Sequence, residues 1–143
     1  MISKLSELKV LLVDDSFETI NIIRAMLNQL GILQVYTAKD GKQALDFISL
    51  SDEIGDEMVN VILCDWNMPR LSGADLLRQI RTVDPDIPFI MITGTADYES
   101  VTLAKALGVT AYIAKPFSAD QLNKKLSLVL KLLNRSSEQA KAS

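Results

Sequence analysis

Val61-Ile62-Leu63-Cys64-Asp65-Trp66-Asn67-Met68-Pro69 begins as an unbroken apolar run, ends that run on an acid, and soon afterwards meets a proline. Strands buried on both faces of a parallel sheet read as continuous apolar runs of this kind. In open α/β sheets ligands sit just outside the carboxyl ends of the strands. The stretch therefore predicts a buried parallel strand that delivers Asp65 to a site. Three other runs end in the same manner. Val10-Leu11-Leu12-Val13 stops at Asp14-Asp15, Phe89-Ile90-Met91-Ile92 at Thr93, and Ala111-Tyr112-Ile113-Ala114 at Lys115-Pro116. Three acids, a hydroxyl and an amine are thus expected at one edge of one sheet.

Between these runs lie helical patterns. Predicted strands at 8–13, 32–37, 58–64, 87–92 and 110–114 alternate with predicted helices at 16–30, 41–50, 73–82, 97–107 and 118–133. In the first helix, Phe17, Ile20, Ile23, Leu27 and Leu30 fall on one face, with Gly31 as its stop. Asp40-Gly41-Lys42-Gln43 and Ser118-Ala119-Asp120-Gln121 read as N-terminal caps with a glutamine three residues on. Alternation of this kind predicts an α/β domain, a doubly wound parallel sheet with helices on both faces. The acidic segment 51–60 is expected to be a surface loop, and the small polar segment 134–143 a frayed tail.

The 143 residues suit one domain, residues 1–143 with a core at 8–133. Fifteen basic and 18 acidic residues leave a net charge of −3, which gives no electrostatic case for a nucleic-acid or membrane partner. There is no histidine, which excludes the usual general base and imidazole metal ligand. The one cysteine, Cys64, has no partner for an internal disulfide, in keeping with a reducing cytoplasmic setting. The longest apolar run near the N-terminus is too short for a signal segment or a membrane span.

Three carboxylates at one place repel one another unless something compensates. A hard cation such as Mg²⁺ resolves the repulsion, because it takes a few carboxylate oxygens and leaves room for a phosphate oxygen. Lys115 adds a compact charge that pairs with phosphate, and Thr93 a hydroxyl donor. Aspartate can itself be the nucleophile, forming an acyl phosphate. Each piece alone has a plainer reading: Asp14-Asp15 as a helix cap, Asp65 as a turn residue, Lys115-Pro116 as a surface turn. Their joint position at successive strand ends favours the phosphoryl chemistry.

Asp14-Asp15, Asp65-Trp66-Asn67-Met68-Pro69 with Gly73, Thr93, and Lys115-Pro116-Phe117 resemble the receiver domain of bacterial response regulators, over about residues 8–133. The Trp-Asn-Met-Pro run is most similar to the single-domain chemotaxis (CheY-like) members. The resemblance implies a flavodoxin-like (βα)5 fold with strand order 2-1-3-4-5. It implies Asp65 as phosphoacceptor, with a histidine kinase or phosphotransfer protein as donor in a two-component system. It implies Mg²⁺ held by Asp14, Asp15, Asp65 and the main-chain carbonyl of Asn67, and phosphoryl oxygens held by Thr93 and Lys115. It further implies a cis peptide before Pro116, an aromatic switch at Tyr112 coupled to Thr93, and a downstream protein target on the 97–133 face. Such a chain is not an enzyme toward other substrates; it catalyses only its own phosphorylation and dephosphorylation. Thr95 sits where the family varies in dephosphorylation rate, and the segment before the third strand is longer than in compact members. Three other readings compete. A degenerate receiver acting only as an interaction module would keep the fold without the chemistry. A haloacid dehalogenase-like phosphatase needs an acid where Asn67 stands. A flavin module needs a phosphate loop where Asp14-Asp15 stand.

Overall fold

The computed structural model describes residue 2 and residues 4–55, 59–94 and 97–142. A short 3-10 turn, Leu5–Glu7, leads into β1 (Lys9–Val13), α1 (Phe17–Gln29), β2 (Gln34–Ala38), α2 (Gly41–Ile54) and β3 (Val61–Asp65). Then come α3 (Gly73–Val83), β4 (Phe89–Thr93), α4 (Tyr98–Ala106), β5 (Ala111–Ala114) and α5 (Ala119–Ala142). The sheet has five strands in the order β2-β1-β3-β4-β5, every neighbouring pair parallel. This is the doubly wound, flavodoxin-like arrangement.

Successive side chains of a strand point to opposite faces, and both faces of the inner strands are apolar here. Leu11, Val13, Ile62, Cys64, Phe89 and Met91 pack against Ala44 and Ile48 of α2, Leu76, Leu77 and Ile80 of α3, and Ala104 of α4. The alternate residues Val10, Leu12, Leu63, Ile90 and Ile92 pack against Ile20, Ile23 and Leu27 of α1 and Leu122, Leu126 and Val129 of α5. Each fully buried aliphatic side chain contributes about 1.5–3 kcal/mol relative to an exposed one. That covering of both faces is why β3 and β4 are buried at every position.

The helix ends follow local chemistry. Ser16 caps α1 by accepting from Thr19 N at 3.2 Å. Its far end closes on Gly31 at φ +89°, with Gly31 N donating to Asn28 O and Ile32 N to Leu27 O. This pair of bonds satisfies orphan carbonyls at the cost of a left-handed residue, which glycine supplies without a Cβ clash. At α5 the capping box is reciprocal: Gln121 N donates to Ser118 Oγ at 3.1 Å, and Ser118 N to Gln121 Oε1 at 2.8 Å. At α2, Gln43 N donates to Asp40 Oδ1, while the Gln43 side chain reaches one residue further back, to Lys39 N.

The structure differs from the sequence reading at several points, and β3 begins at Val61 rather than at 58. The α2 helix runs to Ile54 rather than stopping near 50, because no glycine or proline interrupts it before Gly55 (φ +68°). The supposed surface loop 51–60 thus begins as helix and ends buried. Val59 is in the core, and Asn60 exchanges bonds with Lys9 through Asn60 N to Lys9 O and Lys9 N to Asn60 Oδ1, both 2.8 Å. Residues 56–58 of that segment lie outside the described residues. The segment expected to fray, 134–143, continues α5 to Ala142; Glu, Gln, Ala and Lys are good helix formers and no breaker intervenes. Phe17, assigned to the buried face of α1, is 71% exposed. The second run yields a strand shifted toward Ala38, since Ile32 is consumed by the α1 cap. No described helix is long and apolar enough to cross a membrane.

Candidate functional site

All five strands point the same way, so their carboxyl ends meet along one edge. Val13 pairs with Cys64, which sets Asp14 beside Asp65 at the exits of β1 and β3. Asp65 pairs with Ile92, and Trp66 N continues the ladder to Ile92 O at 2.8 Å. Thr93 pairs with Ala114, and Lys115 N donates to Thr93 O at 2.8 Å, extending β5 by one residue toward the site. The Lys115–Pro116 peptide is cis, as the resemblance implied.

These placements bring the predicted residues together. Carboxylate oxygens of Asp14, Asp15 and Asp65 lie within 4.8 Å of one another. Asp14, Asp65 and Thr93 are buried, and Asp15 is exposed at the mouth. Lys115 Nζ stands 3.6 Å from Asp14 Oδ2 and 3.7 Å from Asp65 Oδ1. Asp14 Oδ1 accepts from Ser16 N at 2.8 Å, whereas Asp14 Oδ2 is buried with no hydrogen-bond donor. The cap of α1 is Ser16, so the two acids are free of the capping role that their position alone suggested. Asn67 N approaches Asp65 Oδ1 at 3.4 Å. Thr95 lies outside the described residues.

Burial raises the Asp65 carboxyl above the ordinary aspartate range; Lys115 opposes the rise, Asp14 adds to it, the Asn67 N–H opposes it, and Asp15 adds a little. Burial, then the charges of Asp65 and Asp14, pushes the Cys64 thiol well up, so this free cysteine is an inert core residue rather than a nucleophile. A carboxyl whose folded pKa is raised stabilises the fold below its unfolded pKa, and that contribution is lost as pH rises through the folded pKa. At neutral pH the ionised Asp65 is therefore a cost. Asp65→Asn is expected to stabilise the metal-free protein at pH 7 by about 1–2 kcal/mol, as neutralising a functional cluster often does. Denaturant melts in chelator should show the gain shrink in acid; a clear loss of stability at pH 7 would count against the repulsive cluster.

The turn after β3 fixes how Asp65 is presented. Gly73 N donates to Trp66 O at 3.0 Å. A Cβ built on Gly73 would stand 2.8 Å from Asp65 O and from Trp66 Cα, and 2.9 Å from Trp66 Cε3. Gly73 is thus required at this turn by space. Between them, Arg70 holds φ 70° while Leu71 N donates to Pro69 O at 2.9 Å, a γ-turn of the strained hand. Nothing in the sequence flags this, because arginine is not a residue that favours positive φ.

Tyr112 lies on the edge strand β5, partly buried against the α2–α4 side of the core. Lys125 of α5 reaches across the sheet edge and places Nζ 5.7 Å from the centre of the Tyr112 ring. The sequence reading assigned no role to Lys125. On the same face α4 seats only Ala104 in the core and leaves Tyr98 85% exposed.

The sequence matches the response regulator receiver domain family over residues 10–127, and the chain belongs to that family. Among characterised relatives, the Vibrio cholerae chemotaxis protein CheY-3 is 35% identical over 128 residues, covering 88% of this chain and 94% of that protein. A Campylobacter jejuni chemotaxis protein CheY homolog is 36% identical over 125 residues, covering 86% and 92%. Among solved structures, Vibrio cholerae chemotaxis protein CheY4 superposes with a TM-score of 0.74 at 31% identity, covering 85% of this chain and 98% of that one. The receiver domain of a Pseudomonas aeruginosa sensor histidine kinase does so with 0.75 at 28% identity, covering 87% and 98%, and carries a magnesium ion coordinated in its active-site cleft.

The donor set fits the same ion. Three carboxylates of a hard, oxygen-only kind surround one point, and one buried oxygen, Asp14 Oδ2, lacks a donor. Asp14, Asp15 and Asp65 would supply side-chain oxygens and Asn67 its carbonyl.

Proposed function

We propose that this protein is a phosphoryl-accepting response regulator of a two-component system. Asp65 takes a phosphoryl group from a phosphohistidine on a histidine kinase or phosphotransfer protein, and a protein-binding face changes in response. One observation carries the reading: a buried aspartate at a strand exit, bracketed by two further acids and by Lys115 3.7 Å away. An Asp65 oxygen attacks phosphorus, the P–N bond to the histidine breaks as the P–O bond forms, and the freed imidazole nitrogen keeps the electron pair. Mg²⁺, which Asp14, Asp15, Asp65 and the Asn67 carbonyl would hold, would supply charge neutralisation at the site. Lys115 and the Thr93 hydroxyl hold the remaining oxygens, and burial keeps water to a minimum around Asp65. Water later attacks phosphorus, the P–O bond to Asp65 breaks, and inorganic phosphate and a proton leave the free carboxylate behind. The chain acts on no other substrate, works in the cytoplasm, and delivers its output through the surface of α4, β5 and α5, where Tyr112 answers Thr93.

The test is transfer from protein to protein. A phosphotransfer domain carrying phosphohistidine is mixed with this chain and Mg²⁺. Phosphate should leave the histidine and appear on this chain in one copy. A chain that accepts phosphate neither from that donor nor from acetyl phosphate would be a degenerate receiver, and the proposal would fail.

A further inference from the structure

The Tyr112 ring rests under a charge that comes from the opposite face of the sheet. Its own neighbours belong to the α2–α4 side, whereas Lys125 projects from α5, whose apolar residues pack on the other side. To reach the ring, the lysine stem must pass over the open edge of β5. It does so along a groove of about 380 Å³ lined by Tyr112, Ile113, Ala114, Gln121, Lys124 and Lys125. Lys124, one residue earlier, instead pairs with Asp120 at 3.6 Å in solvent. Lys125 is half-buried and has its ammonium 5.7 Å from the ring centre, within the range in which a cation is attracted by an aromatic face.

We infer that Lys125 is a positioning residue that holds the Tyr112 ring at the sheet edge in the unphosphorylated state. The inference rests on the reading of Tyr112 as a switch. A ring that turns inward leaves its cation behind, so the contact exists in one state and is absent from the other. Only such a differential contact can bias a two-state equilibrium. The strength of an exposed cation–π pair corresponds to a bias of about two- to five-fold. A phosphate mimic that selects the inward state then binds more weakly by the same factor, because the competent state is the less populated one.

The test compares wild type, Lys125→Met and Lys125→Arg, each with Mg²⁺ and beryllofluoride. Fluorotyrosine NMR follows the Tyr112 signal, assigned among three tyrosines by Tyr112→Phe, and the single tryptophan, Trp66, reports beryllofluoride binding by fluorescence. Methionine keeps the stem and removes the charge. Its metal-bound, beryllofluoride-free signal should move toward the position beryllofluoride produces in the wild type, with apparent affinity raised about two- to five-fold. Arginine should behave as wild type. If the wild-type Tyr112 signal moves with beryllofluoride but Lys125→Met matches wild type in position and affinity, the inference is overturned and the switch stands. If Trp66 reports binding while the wild-type Tyr112 signal stays still, the switch reading falls and the inference with it.

Discussion

Lys115→Ala is expected to slow phosphorylation by acetyl phosphate about 10²–10³-fold, the loss typical of removing one preorganised charge from a site where charge develops. Lys115 Nζ is 3.6 Å from Asp14 Oδ2 and 3.7 Å from Asp65 Oδ1. It is also the chief influence opposing the rise of the Asp65 carboxyl. On the proposed mechanism its removal would weaken the hold on the phosphoryl oxygens, and it would make Asp65 a scarcer carboxylate at a given pH. The rate should therefore fall off at higher pH on the acid side than in the wild type. Trp66 fluorescence, recorded against time after donor is added, would measure both effects. A change of less than about threefold would be out of scale for a removed site charge and would leave Lys115 as a structural partner of the two acids.

Gly73→Val is expected to destabilise the fold by about 2–3 kcal/mol, at the upper end of overpacking costs. The first added carbon meets main-chain atoms, Asp65 O and Trp66 Cα at 2.8 Å, which have no rotamer to escape into. Because those atoms belong to the Asp65–Trp66 peptide, the strain is delivered to Asp65 itself. The substitution should lower both the denaturant midpoint and the extent of phosphorylation in protein that remains folded. Unchanged stability would mean that the turn yields, and that the glycine is dispensable there.

The readable parts of the chain were those governed by a period or by a strand end. β3 and β4 bury every residue, so their apolar runs had no competing interpretation. Asp14, Asp65, Thr93 and Lys115 follow directly on runs whose direction is fixed by parallel pairing, which makes their convergence a matter of topology. The misread parts turn on what lies beneath a residue. Phe17 fits the apolar period of α1, yet it begins the first turn, beyond the end of β1, where the core does not extend under it. Ile54 prolongs α2 although it is 58% exposed, because helix continues until Gly55 gives it a stop. The Lys125–Tyr112 contact crosses a sheet edge, and no spacing within α5 encodes what the neighbouring strand presents there. The γ-turn at Arg70 is imposed by closure of the Pro69–Gly73 segment over Trp66, a tertiary demand that overrides arginine's local preference.

Asp65 is proposed to carry the phosphate, and the position of the group can be read in the intact protein. After incubation with acetyl phosphate and Mg²⁺, reduction with borohydride converts an acyl phosphate on aspartate to homoserine, a permanent mark that peptide mass spectrometry can place. The mark should fall on Asp65 in a single copy, and should be absent when a chelator replaces the metal. A mark on Asp14 or Asp15 with Asp65 untouched, or undiminished labelling in chelator, would contradict the account.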